Sequence, residues 1–240
     1  VRGLGLPGQV LVQTPERDRA RVAASLSANE TVATFYEDAI LEGQALPDDP
    51  LYEFAIPNPD PLKPPSIGGQ VASNAPELIN AEEAWNLTTG SSDVVVAVID
   101  SGIDLEHPDL VDNLWTNTAE LNGIPFFDDD GNGFEDDIHG WDFVANDNVP
   151  QDENGHGTHV AGTIGAAGNN GIGVAGVAWD TSLMILRILD KDNKGSLSLA
   201  ALAINYASMM RTRETNPVNV RVSNHSYGRS SNITAQDSTS

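Results

Sequence analysis

Two residues far apart in the chain, Asp100 and His156, have the types and settings that acid–base chemistry needs. Asp100 follows a β-branched and apolar run over residues 94–99, which is typical of a strand buried on both faces. Open α/β sheets place their ligands and reactive groups at the carboxyl ends of such strands. His156 lies among glycines and small residues at a predicted loop-to-helix junction.

A carboxylate and an imidazole together can activate a weak nucleophile such as serine. The carboxylate accepts the Nδ1 hydrogen and holds the ring in one tautomer, so that the other nitrogen serves as the general base. We therefore predict that Asp100 orients His156 and that His156 is the base. Taken alone, Asp100 also fits a helix N-cap or a turn residue, so the prediction depends on the pair.

A second histidine, His159, raises the alternative of a zinc site. The helical zinc motif places two histidines four residues apart, with a glutamate between them. His156 and His159 are three apart and no acid lies between them. Zinc is therefore not favoured, and His159 is predicted to be a packed, hydrogen-bonded neighbour of the pair.

An acidic segment over residues 116–150 is predicted to contain a calcium loop. Oxygen-bearing residues alternate there as in an EF-hand, and Gly133 stands where such a loop turns sharply. His139 occupies the place of the bidentate glutamate, so a related Asp-rich loop is predicted rather than an EF-hand, with a solvated acidic loop as the alternative. The many carboxylates favour Ca²⁺ over Mg²⁺. The predicted ligands are Asp128, Asp130, Asn132, the carbonyl of Phe134, and Asp136.

Alternating strand and helix patterns predict an α/β fold with a mostly parallel central sheet. Strands are predicted over 94–99, 182–189 and 218–223, and helices over 76–85, from His156 onward, and after a Ser196 cap. The N-terminal region is predicted to contain a strand over 9–13, a helix over 15–28 and a second strand over 32–36.

Three segments, in this order, resemble the subtilisin-like serine proteases (the peptidase S8 family). They are Asp100-Ser101-Gly102-Ile103-Asp104 with His107-Pro108-Asp109-Leu110, then residues 156–162, then residues 223–228. The resemblance covers roughly residues 76–228 and implies a three-layer fold and an Asp–His–Ser triad. No Gly-Thr-Ser nucleophile motif occurs in the 240 residues. The serine and the oxyanion asparagine are therefore expected beyond residue 240, and the sheet is expected to be incomplete at its C-terminal side.

The resemblance also implies binding sites. The walls of a cleft for an extended polypeptide would be the Gly195 region on one side and Ser226, Tyr227 and Gly228 on the other, with recognition by strand addition. A second calcium site would use Asp109 and the amide of Asn170.

Three regions are predicted along the chain. By the same resemblance, residues 1–46 are the end of an inhibitory prosegment, a remnant of one, or another N-terminal extension. Residues 47–75 form a proline-rich linker, and residues 76–240 form the first part of the peptidase domain.

The composition of the chain argues against several classes of partner and site. The formal net charge of −23 argues against nucleic acid, because phosphates repel such a surface. No apolar run reaches the ~18 residues of a membrane span. The absence of cysteine excludes disulfides and thiolate metal sites. A secreted or extracellular bacterial protein is predicted.

The function predicted from these features is a calcium-stabilised serine endopeptidase that hydrolyses extended polypeptides, with the 240-residue piece inactive on its own. The alternative is a non-catalytic, calcium-binding module that holds peptides in the same cleft.

Overall fold

The computed structural model describes residues 2–4, 8–34, 40–43, 79 and 81–229. The predicted linker over 47–75 lies outside the described residues. Two 3₁₀ turns, Glu16–Asp18 and Val111–Asn113, accompany the helices and strands. In chain order, the helices and strands are β1 (Arg2–Gly3), β2 (Val10–Leu11), α1 (Arg19–Ser27), β3 (Ile40–Gly43), α2 (Ala81–Trp85), β4 (Gly90–Asp100), α3 (Thr118–Leu121), β5 (Gly140–Asp142), α4 (His156–Gly165), β6 (Asp180–Arg187), β7 (Lys194–Ser196), α5 (Leu197–Thr212), β8 (Val220–His225) and β9 (Tyr227–Arg229).

A four-stranded sheet in the order β5-β6-β4-β8 forms the centre of the fold. Its three strand pairs are all parallel, so the predicted parallel sheet is confirmed. In the register, Ile99 lies opposite both Leu186 and His225. The carboxyl ends of these strands therefore meet at one edge of the sheet, and Asp100 lies at that edge.

The two faces of the sheet carry separate apolar cores, which confirms the α/β arrangement in three layers. Alternate residues of β4 point to opposite faces, as strand geometry requires. Val95, Ala97 and Ile99 belong to one core together with residues of α5. Val96 and Val98 belong to the other core, together with Ala161 of α4. Fully burying each large aliphatic side chain contributes roughly 1.5–3 kcal/mol, so the strand is held from both sides.

The outer side of strand β8, the last strand of the sheet, is unpaired within the described part of the chain. β8 pairs only with β4 there, and Val222 on it is exposed. An apolar residue exposed on an edge strand is expected where a sheet continues beyond the described strands. The sheet is therefore incomplete on this side, as the sequence predicted.

A second, antiparallel sheet has the order β7-β3-β9. β3 lies in its centre and pairs with both neighbours. The sequence predicted a strand over 32–36 instead. That prediction was wrong for residues 32–34, which form no strand, while residues 35 and 36 lie outside the described residues. The strand begins at Ile40 because the partners that select it, β7 and β9, come from distant parts of the sequence.

Most of the other local predictions are confirmed. The predicted N-terminal strand and helix appear as β2 and α1, and the part of the predicted 76–85 helix that is described appears as α2. The hydroxyl of Ser196 accepts a hydrogen bond from the N–H of Leu199 and caps α5. Among the described residues, no helix is both long and apolar enough to cross a membrane.

Candidate active site

Asp100 and His156 meet at the edge where the parallel strands end. The Nδ1 atom of His156 lies 2.6 Å from Oδ1 of Asp100. Asp100 is fully buried, and the His156 side chain is 9% exposed. The backbone N–H of Ser101 donates to the same Oδ1 at 2.7 Å. The ring therefore has its Nδ1 hydrogen directed at a carboxylate, which leaves Nε2 as the nitrogen that can take a proton.

The loop before helix α4 is fixed to the sheet by Arg187. Its guanidinium donates to Oδ2 of Asp142 at 2.9 Å and to Oε2 of Glu153 at 2.5 Å. Arg187 lies opposite Asp100 in the parallel register. A buried guanidinium needs such carboxylate partners, because an unpaired charge in this position would be costly. The pairing joins the acidic segment to the loop that leads into His156.

The predicted cleft walls lie on the two sides of β3. Leu41 is opposite Gly195 and Arg229, Glu42 is opposite Lys194 and Gly228, and Gly43 is opposite Tyr227. Ser226 lies between β8 and β9, outside this pairing, and its hydroxyl accepts a hydrogen bond from Asn224. A strand of the chain itself therefore occupies the space between the two predicted walls.

The end of the predicted cleft near Tyr227 lies close to the Asp100–His156 pair. Burial, together with the negative charge of Asp100, raises the pKa of Tyr227 to about 12, so its hydroxyl stays neutral. The hydroxyl contacts Nδ1 of His225 at 2.6 Å. Because β3 is antiparallel to β9, it runs toward this end and hence toward Asp100.

A buried carboxylate cluster lies in the acidic segment. Carboxylate oxygens of Glu120, Asp130 and Asp137 lie within 4.8 Å of one another. Asn117 donates to Asp130 and Asp137, Arg213 pairs with Asp130, and the hydroxyl of Tyr206 donates to Asp137. Burial raises the pKa of Glu120 and raises that of Asp137 to about 7, although hydrogen bonds to Asp137 oppose the increase.

The other predicted ligands of this loop are engaged differently. Asp128 accepts the N–H groups of Asn132 and Gly133, and Asp136 accepts that of Phe126. The amide oxygen of Asn132 accepts the N–H of Phe134, whose ring packs against the core. Of the five predicted ligands, Asp130 alone belongs to the carboxylate cluster. Glu120 and Asp137 were not singled out by the sequence.

The residues predicted for the second calcium site are in contact with each other. Nδ2 of Asn170 donates to Oδ1 of Asp109 at 2.8 Å, and the N–H of Val174 donates to Oδ2 at 2.7 Å. Asp109 is buried. The loop over residues 168–174 therefore folds back on this carboxylate.

Comparison with known proteins agrees with this geometry. The sequence profile of the subtilase family (peptidase S8) matches residues 91–240, a range that includes both Asp100 and His156. The chain belongs to the subtilase family.

The relatives of this subtilase include proteins that are named as proteases. It is 46% identical over 130 residues to subtilisin-like protease 1 of Plasmodium falciparum, covering 54% of this chain and 18% of that protein. It is 34% identical over 226 residues to the thermophilic serine proteinase of a Bacillus species (strain AK1), covering 86% of this chain and 50% of that protein. Thermitase of Thermoactinomyces vulgaris is 35% identical over 133 residues, with 55% and 39% coverage. The chain thus spans half or less of the length of these relatives.

The second histidine of this subtilase is packed beside the first. Nε2 of His159 is buried and has no hydrogen-bond partner among the described residues. The predicted hydrogen bond is therefore not found at that atom. Burial lowers the pKa of His159, and a charge on His156 lowers it further. Its surroundings therefore favour the neutral ring beside the Asp100–His156 pair.

Helix α4 of this subtilase approaches the loop after Asp100 at a glycine, and Gly157→Ala is expected to separate the two. An added Cβ would overlap the carbonyl oxygen of Gly102 and lie 3.1 Å from the nitrogen of Ser101. Both are backbone atoms, so the helix itself must move. We expect kcat to fall by about tenfold to a hundredfold and the free energy of unfolding to fall by about 1–3 kcal/mol, measured by steady-state kinetics and denaturant melts.

Gly162→Ala is the matched control, because it lies on the same helix and an added Cβ would meet no atom within 4 Å outside the helix's own neighbouring backbone. This variant should retain kcat and gain up to about 1 kcal/mol of stability from helix propensity. An equal loss of activity in both variants would contradict the role of close approach.

Proposed function

We propose that the chain is the N-terminal part of the catalytic domain of a serine endopeptidase that hydrolyses extended polypeptides. The observation that carries the proposal is the 2.6 Å hydrogen bond between the buried Asp100 and Nδ1 of His156. Membership of the subtilase family supports it further. The nucleophilic serine is proposed to lie beyond residue 240, so the 240-residue piece is expected to be inactive alone.

In the proposed reaction, Nε2 of His156 takes the proton of the serine hydroxyl as its oxygen attacks the peptide carbonyl. Asp100 stabilises the imidazolium that forms and keeps the ring in place. His156 then gives the proton to the leaving amine, which departs and leaves an acyl-enzyme. A water molecule, deprotonated by the same nitrogen, hydrolyses that ester and returns the serine.

Labelling with a serine-directed fluorophosphonate tests the proposal. The natural protein should gain the mass of one adduct, and the His156→Ala variant should gain none, because the serine is then no longer activated. A natural protein that is folded and takes no label would overturn the proposal. It would leave the alternative, a calcium-binding module that holds peptides without cleaving them.

One observation favours peptide binding in either case. β3 pairs on both sides, with Lys194–Ser196 and with Tyr227–Arg229. Backbone pairing of this kind recognises an extended chain without reading every side chain. We therefore propose Gly195, Tyr227 and Gly228 as substrate-binding residues. We propose Ser226, which directly precedes Tyr227, as a further residue of the same wall.

The same pairing supports a prosegment as the chain's own inhibitor. β3 ends at Gly43, three residues before the end of the predicted prosegment at 46. Strand β3 runs toward Asp100, and a bound substrate strand is proposed to run in the same direction. While these residues occupy the cleft, a polypeptide substrate has no strand partners there. The boundaries 1–46, 47–75 and 76–240 and the secreted location stay predictions.

We propose that Ca²⁺ binds in the acidic segment. Glu120 and Asp137 are buried, and Asp137 loses its charge easily because burial raises its pKa to about 7. A cation offsets the cost of such buried carboxylates, and hard oxygen donors suit Ca²⁺. The carboxylates of Glu120, Asp130 and Asp137 fit the ion best. Both sets of residues now make hydrogen bonds that an ion would have to rearrange, but among the described residues only the carboxylate oxygens of Glu120, Asp130 and Asp137 lie within 4.8 Å of one another. Asp128, Asn132, Phe134 and Asp136 are therefore the second choice. Asp109 and Asn170 remain the proposed second site.

Calcium is expected to stabilise the protein. At a concentration a hundred times its dissociation constant, an ion adds about 2.7 kcal/mol, which corresponds to roughly 5–10 °C in Tm for a domain of this size. Differential scanning fluorimetry with calcium and with chelator measures the shift. Asp137→Asn should remove most of it, whereas Asp112→Asn, at an exposed aspartate outside the cluster, should not. If Asp128→Asn removed the shift and Asp137→Asn did not, the Asp-rich loop itself would be the site.

A further inference from the structure

Asp152 lies in the loop before helix α4 and accepts hydrogen bonds from five donor groups. Its Oδ1 accepts the hydroxyl of Ser101 at 3.0 Å and the backbone N–H groups of Asn154 and Gly155, each at 2.9 Å. Its Oδ2 accepts the N–H of Thr158 at 2.9 Å and the hydroxyl of the same residue at 2.6 Å. Both carboxylate oxygens are therefore used, and neither the triad motif nor the calcium loop includes this residue.

These donors come from both segments that carry the catalytic pair. Ser101 directly follows Asp100, and Asn154, Gly155 and Thr158 surround His156. The hydroxyl of Ser101 also accepts the N–H of Gly157 at 2.8 Å. The hydroxyl of Thr158 accepts the N–H of Asp104 at 2.9 Å. One carboxylate thus ties the end of β4 to the first turn of α4, both directly and through two hydroxyl groups.

This connection lies next to both members of the Asp100–His156 hydrogen bond. Asp100 and His156 are 56 positions apart. Ser101, which follows Asp100, donates its hydroxyl to Asp152, and Gly155, which precedes His156, donates its backbone N–H to the same carboxylate. We propose that Asp152 is a positioning residue that fixes the geometry of the Asp100–His156 pair by holding the loop after β4 against the start of α4. The expected effect of Asp152 on hydrolysis rests on the proposed function, whereas its expected effect on the Asp100–His156 hydrogen bond does not.

The position requires a carboxylate rather than an amide. Every group that faces Asp152 in these contacts is a donor, so an asparagine would direct its N–H₂ group at either the Ser101 side or the Thr158 side. Burial favours the neutral acid and raises the pKa of Asp152, but the hydrogen bonds from Thr158, Gly155 and Asn154 outweigh burial and leave the pKa below its usual value. The side chain is therefore ionised in the range where a histidine base operates.

The test compares the natural protein with its Asp152→Asn variant by two measurements. The first is the NMR resonance of the Nδ1 proton of His156, in protein with ¹⁵N-labelled histidine. We expect this signal to broaden or disappear in the variant, because its hydrogen bond to Asp100 is no longer held. The second is peptide hydrolysis, in which kcat should fall by about tenfold to a hundredfold while KM changes little.

Asp147→Asn is the matched control. Asp147 is an exposed aspartate that accepts a hydrogen bond from the N–H of Val149, so the variant removes a charge and a turn contact elsewhere in the same region. It should keep both the resonance and kcat. Ser101→Ala removes one link while leaving the carboxylate in place, and it should weaken the resonance in the same direction, which keeps the proposal testable if Asp152→Asn does not fold.

An unchanged Nδ1 resonance in folded Asp152→Asn would overturn the proposal, whatever happens to kcat. If the natural protein hydrolyses no peptide, the proposed function fails, but the resonance still decides the role of Asp152. A folded variant that loses the signal supports positioning in either case.

Discussion

His156→Ala is expected to abolish peptide hydrolysis by the natural protein. Loss of the triad histidine in subtilisin, a member of the same family, lowers kcat by about a millionfold, and that value sets the scale. The reason is that the serine hydroxyl keeps its proton when no base lies beside it, and a neutral hydroxyl is a poor nucleophile. Steady-state hydrolysis of a peptide substrate, with the variant's fold checked by thermal melting, measures the loss.

Asp100→Asn should lower kcat less, by about ten-thousandfold. An amide in this place keeps the shape of the side chain but favours the wrong tautomer of His156, since it can direct an N–H group at Nδ1. Asp112→Asn removes a charge at an exposed site and serves as the control. Retention of more than a few per cent of activity by either His156→Ala or Asp100→Asn would contradict the assignment of the base and of its orienting partner.

The parts of the fold that follow local sequence patterns were predictable. The apolar run over residues 94–99 reads as a doubly buried strand, and β4 contributes to the cores on both faces of the sheet. Ser196 reads as a helix cap and makes the capping hydrogen bond. The contact between Asp100 and His156 was predictable because their motifs are local, and the parallel sheet brings strand ends to one edge whatever the details of the loops.

The missed features depend on contacts between distant segments. Glu120 and Asp137 join Asp130 only because the acidic segment folds back on itself. The alternation of residues 128–136 instead predicted that neighbouring residues of one loop would be the ligands. Asp152 has no distinguishing spacing, and its importance lies in donors supplied by Ser101 and by Thr158. β3 is selected by its partners in β7 and β9, so its position could not be read from the residues around it.

The pairing of β3 with both predicted cleft walls leads to a second expected effect, on inhibition. A peptide of residues 1–46 is expected to inhibit the protease competitively, raising the apparent KM and leaving kcat unchanged, because it uses the strand partners that a substrate uses. Glu42→Pro in this peptide removes a backbone N–H from a strand that lies between two others, and the proline ring opposes pairing there. Losing one backbone hydrogen bond costs about 0.5–1.5 kcal/mol, which corresponds to about twofold to twelvefold in the inhibition constant, and the misfit of the proline ring adds to this loss.

Two control peptides separate the backbone from other causes. Glu42→Gln removes the charge and keeps the N–H, so its inhibition constant should stay within about threefold of the original. Ala33→Pro introduces a proline at an exposed position outside any strand and should inhibit normally. If Glu42→Pro inhibited as well as the original peptide, the strand would not be the inhibitory element. If Glu42→Gln lost inhibition equally, side-chain charge rather than backbone pairing would govern entry to the cleft, and substrates would then be selected by their sequence rather than by their extended shape.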